Sequence, residues 1–350
     1  MKDKLKKSLS AIWVPLLAVF FSFIVGAILI MMAGKSPILA YKALFKGSFG
    51  TLPLFFQMLN KATPLLFTGL AVAVAYRAKV INIGGEGQLV MGALGATLAG
   101  IYLDLPAIIH IPITIAAAFI FGSLWVVIPA LLKIKKDVNP VISTIMMNYV
   151  AALFVQFLVV GPLKHPGELL ATDWLKKSAW LPFIIGAPFR LGAGILLGIV
   201  CAVALSFLLN KTVSGYEIKA VGFNQRASKV AGINVEKNML IALMISGGLA
   251  GLAGGIEVTS FFHRLYDGFS PGYGFDGISV ALLARSNPYG VILTSLLFAI
   301  LRSGAVSMQT SVGVSRNVVD AMQGVIILFI AGEAMITLLI AKFKKKGGSV

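Results

Sequence analysis

Gly215-Tyr-Glu-Ile-Lys-Ala-Val-Gly-Phe-Asn-Gln-Arg-Ala-Ser-Lys-Val-Ala-Gly-Ile-Asn234 is a polar, basic interruption in a chain that is otherwise almost wholly apolar. Of the 350 residues, 58% are hydrophobic and 12% charged, against about 25% charged in a soluble domain. Uncharged apolar runs on both sides of the interruption make the chain an all-α polytopic membrane protein. Within 215–234, charges alternate with small residues and Gly222 interrupts, which predicts two short helical pieces, the second stopped by Gly232. The stretch lacks the bulky apolar face of a helix lying on lipid. Small residues with mixed charge suit a groove on another protein, and 210–238 is therefore read as a docking loop.

Outward from that loop, apolar segments occur near 12–33, 57–76, 86–103, 107–131, 138–161, 191–209, 239–257, 288–303 and 318–341. A tenth, Phe275 to Ala284, covers only ~15 Å as a helix, against ~30 Å of hydrocarbon. It is expected to be a half-helix shielded by its neighbours. The sequence opens Met1-Lys-Asp-Lys-Leu-Lys-Lys7, and the apolar run that follows is too long for a signal peptide and reads as an uncleaved first span. Counting about ten crossings with both termini in the cytoplasm puts nineteen of the 30 Lys and Arg inside, as the positive-inside rule asks. Residues 162–190 become an extracellular loop, with Trp174 and Trp180 either marking the membrane interface or offering a docking surface. Segment 34–52 is a second, partly amphipathic outside piece, and the whole of 1–350 is read as one transmembrane domain.

Several chemistries are excluded. The net charge of +17 sits in short loops without a basic, aromatic-interleaved face, so nucleic acid is not a partner. His110, His165 and His263 lack metal-ligand spacing, and the lone Cys201 lies in an apolar run. Ala33-Gly-Lys-Ser36 imitates the end of a phosphate-binding loop but has Leu29 in place of its first glycine. No cofactor site is expected on this chain.

Small residues form rows four apart: Gln88, Gly92, Ala96, Gly100; Gly247, Gly251, Gly255; and Ser246, Ala250, Gly254. Such rows mark central, closely packed helices. Thr144, Asn148, Ala152 and Gln156 share a stripe, and Glu257, Asp276, Asp320 and Glu333 are ionisable groups within or beside spans, where they line an interior or lie at an interface. Gly85-Glu86-Gly87 and Gly274-Phe-Asp-Gly277 are two helix openings with an acid among glycines, expected from opposite sides as in inverted repeats.

Four blocks together resemble the permease subunits of ABC importers in the branched-chain amino acid, ribose and nucleoside group. They are Asn82-Ile-Gly-Gly-Glu-Gly-Gln88; Asn139-Pro140 with Thr144 to Asn148-Tyr149; Lys219-Ala-Val-Gly-Phe-Asn224 with Ala231-Gly-Ile233; and Gly274-Phe-Asp-Gly-Ile278 with Ala281-Leu-Leu283. The match is nearest to permeases of nucleoside importers with a basic-membrane-protein-type lipoprotein. Ala284-Arg285-Ser286 departs from it, where a small or glycine-rich turn is expected.

That resemblance implies a type II importer fold in a bacterial plasma membrane. It also implies a second homologous permease, an extracellular substrate-binding lipoprotein, and an ABC ATPase, often tandem, that carries the ATP and Mg. Glu217, Lys219, Gly222, Asn224, Arg226, Lys229 and Gly232 are the expected coupling residues. Glu86, Gln88, Thr144, Asn148, Gln156, Phe261, Phe262 and Asp276 are the expected pathway residues for a nucleoside. Two alternatives stand beside this reading: the same machine for ribose or another simple sugar, and an ion-coupled secondary transporter using Glu257 or Asp276.

Overall fold

The computed structural model describes residues 2–167 and 169–346. The helices run α1 (Lys2–Met32), α2 (Pro37–Phe49), α3 (Leu52–Arg77), α4 (Gly85–Tyr102), α5 (Ala107–Lys136), α6 (Pro140–Val160) and α7 (Gly194–Lys211). Then follow α8 (Val213–Phe223), α9 (Gln225–Val230), α10 (Val235–Glu257), α11 (Tyr273–Leu283), α12 (Pro288–Val312) and α13 (Asn317–Lys346). Among the described residues, seven helices are long and apolar enough to span: Pro15–Met32 of α1, α3, α5, α6, α7, α12, and α10 with its continuation to Phe262. With α4, α11 and α13 they give the order of ten segments expected. At 11 residues, α11 is the half-helix, about 16 Å long. Boundaries move: α1 begins at Lys2 rather than near 12, α3 at Leu52 rather than near 57, and α12 continues to Val312 rather than stopping near 303; segment 37–49 is a formed helix.

The chain packs as two compact units. The first comprises residues 1–54 and 300–350. In it, the Tyr41 hydroxyl donates to the Phe23 carbonyl, Phe21 stacks on Phe329 with ring centres 4.8 Å apart, and Ser48 Oγ donates to the Ile300 carbonyl at 2.9 Å.

The second unit, residues 55–299, is built on α4, α5 and α10. A Cβ on Gly92 would overlap the Gly251 backbone, one on Gly122 the Gly247 carbonyl, and one on Gly254 the Leu89 carbonyl. The small-residue rows are thus the surfaces on which three helices touch backbone to backbone, where dispersion must supply the attraction in lipid. Around this spine, α6 and α7 turn most of their surface outward, with Tyr149, Leu153, Phe157, Leu196, Val200 and Phe207 exposed.

The described residues of 162–190 are irregular apart from a 3-10 turn (Lys177–Ala179) and β1 (Phe183–Ile185), which pairs antiparallel with β2 (Leu191–Gly192). The segment is pinned to the turn after α10. Trp180 stacks on His263 with centres 3.8 Å apart, Arg264 lies 4.3 Å over Trp174, and Thr172 N–H donates to the Leu265 carbonyl at 2.8 Å. Trp180 is therefore an anchor of the loop, while Trp174 keeps 53% of its surface exposed. Burial holds His263 below the usual histidine range, against an upward pull from the Thr259 backbone.

Candidate coupling surface and translocation site

After α3 the chain folds back into the protein without forming a helix until Gly85, and Ala78, Val80 and Asn82 are buried. Non-helical backbone at that depth needs partners. Three side chains supply them. Asn148 Oδ1 accepts from Gly87 N–H at 2.8 Å and its Nδ2 donates to the Ile83 carbonyl at 3.0 Å. Thr144 Oγ1 accepts from Ile83 N–H at 3.3 Å and donates to the Pro140 carbonyl at 2.6 Å. Asn82 Oδ1 accepts from Gly84 N–H at 2.9 Å, and its side chain exchanges two bonds with Gln88, at 2.9 and 3.0 Å, and donates to Ser246 Oγ at 2.8 Å.

The two acid-and-glycine openings meet. Glu86 Oε2 accepts from Gly274 N–H at 2.7 Å, and a Cβ on Gly274 would overlap the Glu86 backbone. The N-terminal ends of α4 and α11 therefore abut, each with a carboxylate, Glu86 or Asp276, in its first turn. A carboxylate there balances the positive end of the helix dipole. Broken helices whose N-termini converge inside a membrane protein present polar groups at depth, an arrangement that transporters use to meet solutes.

Of the eight residues expected along a pathway, Glu86, Gln88, Thr144, Asn148 and Asp276 belong to this convergence. The other three do not. Gln156 is exposed and donates to Asp267 Oδ2 at 2.8 Å, so the stripe from Thr144 turns away from the interior after Asn148. Phe261 packs against Phe183 and Phe262 against Tyr266 and Phe269, all within the π-helical turn Val258–Phe262 and its surroundings. Asn82 and Ser246 were missed as site residues, although one lies in the quoted 82–88 block and the other in a small-residue row. Glu257 is buried, whereas Asp320 is exposed. The side chain of Glu333 lies outside the described residues.

The docking loop forms the two helices expected, with one correction. Gly222 does not interrupt: α8 runs through it to Phe223, and the break falls at Asn224. Gly222 is small because it lies against the Arg77 carbonyl, where a Cβ would overlap. Thr212 caps α8 by accepting from Gly215 N–H at 3.1 Å, and Asn224 caps α9 by accepting from Ala227 N–H at 3.1 Å. Gly232, at φ +82, ends α9 as expected, with Ile233 N–H returning to the Ser228 carbonyl at 2.9 Å. Asn234 then caps α10, and Asn238 Nδ2 donates to Glu217 Oε2 at 2.9 Å. Glu217 thus ties α8 to α10, while Arg226 and Lys229 point outward.

Ile218, Val221 and Gly222 fix α8 to the body, leaving Val213, Tyr216, Phe223 and, on α9, Val230 at 66% exposure or more. A cavity of about 720 Å³ opens beside α9, lined by Lys133, Asp137, Arg226, Lys229, Glu236 and Met239 among others. Contrary to the expectation that the stretch lacks a bulky apolar face, large apolar side chains stand exposed amid its cations on capped helices. Among the described residues no cluster of His, Cys, Asp or Glu has the makings of a metal site.

Residues 54–331 match the family described as branched-chain amino acid transport system / permease component. The chain belongs to this permease family. The permease is 39% identical over 98% of its length and 99% of the relative's to the guanosine ABC transporter permease protein NupP of Bacillus subtilis (strain 168). It is 30% identical to the nucleoside ABC transporter permease protein NupB of Lactococcus lactis subsp. cremoris (strain MG1363), covering 98% and 96% of the two chains. The glucose ABC transporter permease protein TsgB13 of Haloferax volcanii is 32% identical over 90% of this chain and 86% of its own. No solved structure gives a significant match. The permease is thus a multi-pass transport subunit of the ABC kind rather than an enzyme.

Proposed function

We propose that this permease carries nucleosides inward across a bacterial plasma membrane, with ATP hydrolysed on a separate subunit that docks on α8 and α9. The observation that carries the substrate is the likeness to NupP, which extends over 98% of this chain and 99% of that relative. Both termini lie in the cytoplasm, on the same side as α8 and α9, and residues 162–190 lie outside, where a substrate-binding lipoprotein delivers solute. A second, homologous permease packs against this one.

The mechanism is a two-state equilibrium of the helix bundle. Lipoprotein docking favours one state and ATP-driven closure of the ATPase favours the other, each only through its differential affinity. Lys219, Arg226 and Lys229 take the stroke, with Asn224, Gly222, Gly232 and Glu217 holding their helices in place. Glu86, Asp276, Gln88, Thr144 and Asn148 form the closed polar junction of α4 and α11, which parts in the transporting state to let a ribose hydroxyl or a base edge pass.

The likeness to a glucose permease keeps a sugar as the second reading. Uptake of labelled guanosine, challenged with unlabelled purine nucleosides, pyrimidine nucleosides, ribose and glucose, decides between them. Nucleosides should compete and free sugars should not. Competition led by ribose or glucose would remove the nucleoside assignment. Uptake that survives an uncoupler but stops on ATP depletion separates this mechanism from one driven by an ion gradient.

A further inference from the structure

Between the α4–α11 junction and segment 162–190, one buried acid has no part in the mechanism above. Glu257 closes α10 and is 6% exposed. It follows Ser246 by about three full turns, so both side chains leave the same side of the helix, about 16 Å apart along its axis. Ser246 holds Asn82 at the junction. At the other end, the Thr259 carbonyl accepts from Leu181 N–H at 3.1 Å.

Among the described residues, no hydrogen bond and no ion pair reaches the Glu257 carboxylate. An ionised carboxylate held there alone is costly, and a protonated one still needs an acceptor for its O–H. Ser260 Oγ, on a fully buried residue, and Ser270 Oγ have no hydrogen-bond partner either. All three residues lie on the stretch from the end of α10 to the start of α11, which begins with the π-helical turn Val258–Phe262. Single π turns gather at functional sites, and buried polar atoms without partners call for one from outside the chain.

The same stretch carries rings. Phe262, Tyr266 and Phe269 meet edge to face, with centres 5.0, 6.2 and 6.3 Å apart. Burial, then the charge of Glu257, push the Tyr266 phenol up, against a downward pull from Arg264. Glu257 is therefore within electrostatic reach of these rings. Tyr266 also lines a cavity of about 440 Å³ with Leu169, Leu170, Arg264 and Asp267, a size that suits a small organic solute. Flat aromatic faces favour a heterocyclic base over a sugar, and an ionised carboxylate offers acceptors only. Guanine is the common base with two adjacent N–H donors, N1–H and the N2 amine, on one edge.

We propose that Glu257 selects the solute: its carboxylate accepts N1–H and the N2 amine of a guanine-type base that enters past Tyr266. This role rests on the nucleoside reading above and adds to it the residue that discriminates among nucleosides.

The test is uptake by the whole transporter in cells, from one mixture of tritiated guanosine and radiocarbon-labelled inosine, which lacks the N2 amine. The ratio of the two labels reads relative Vmax/KM. It does not depend on how much permease is folded, and an outside binding protein contributes the same factor in every variant. Glu257→Gln turns one acceptor into a donor, and Glu257→Ala removes both acceptors. Each should lower guanosine relative to inosine about tenfold to a hundredfold, the worth of one charge-assisted hydrogen bond. Glu257→Asp should keep guanosine ahead, and all three should melt as the wild type does. An unchanged ratio in the Gln and Ala variants would overturn the proposal. So would loss of both solutes from well-folded variants, which makes Glu257 part of the conformational switch, or unfolding by Gln and Ala alike, which makes it structural. A wild type that takes up neither nucleoside would remove the nucleoside reading, and this role with it.

Discussion

Gly92 and Gly251 show how much a single missing methyl group holds in place. Their helices touch through backbone atoms, and a Cβ on Gly92 would overlap the Gly251 Cα and carbonyl oxygen. Neither partner is a flexible side chain, so α4 and α10 must separate for Gly92→Ala to fit. Overpacking a rigid core costs about 1–3 kcal/mol, and a backbone clash belongs at the upper end of that range. We expect the midpoint of thermal unfolding in detergent to fall sharply for Gly92→Ala, whereas Gly324→Ala, with nothing within 4 Å, should leave it within error. Asn148 is the polar counterpart. Asn148→Leu removes the partners of Gly87 N–H and the Ile83 carbonyl together, at about 1–3 kcal/mol for each buried group left unpaired. Uptake should fall with little change in surface expression. Normal uptake would mean that the break before α4 is not needed for transport.

At the scale of elements, α8 and α9 are stiff because each is capped by a side chain of its own. Asn224→Ala should cost about 1 kcal/mol through the lost α9 cap and lower the ratio of solute moved to ATP hydrolysed without abolishing insertion. Arg226→Glu with Lys229→Glu reverses two outward charges that make no internal bond, so the fold should stand while uptake is lost. Wild-type uptake in that pair would remove the docking assignment. The sequence reveals such elements when their cause is local. The half-helix follows from its length, the stop of α9 from Gly232, and the glycine spine from spacing four apart. What it hides is long-range. Glu86 and Gly274 lie 188 residues apart, so two openings read as separate echoes are one junction. The role of Gly222 depends on the Arg77 carbonyl, which no local pattern reports, and so it passes for a helix break. Gln156 continues a stripe on paper, yet the buried face of α6 runs from Asn148 on through Ala151, Val155 and Val159, one position off the i+4 row.

For the whole molecule, sidedness governs every functional assignment, and it depends on a single helix. Only α7 lies between the outer segment 162–190 and the α8–α9 surface, and its 18 residues span about 27 Å, which matches a bilayer core with little tilt. On the proposed topology Asp173 and Arg226 face opposite compartments, with the excess of Lys and Arg around 211–237 on the inner side. The chain has one cysteine, Cys201, half-buried within α7, so Cys201→Ser gives a clean background for labelling. In intact cells a membrane-impermeant maleimide should label Asp173→Cys and spare Arg226→Cys, and permeabilised cells should label both. Labelling of Arg226→Cys from outside would place α8 and α9 where no ATP is available. The energy of transport would then have to enter elsewhere, since a subunit that hydrolyses nothing must be driven from the compartment that holds the nucleotide.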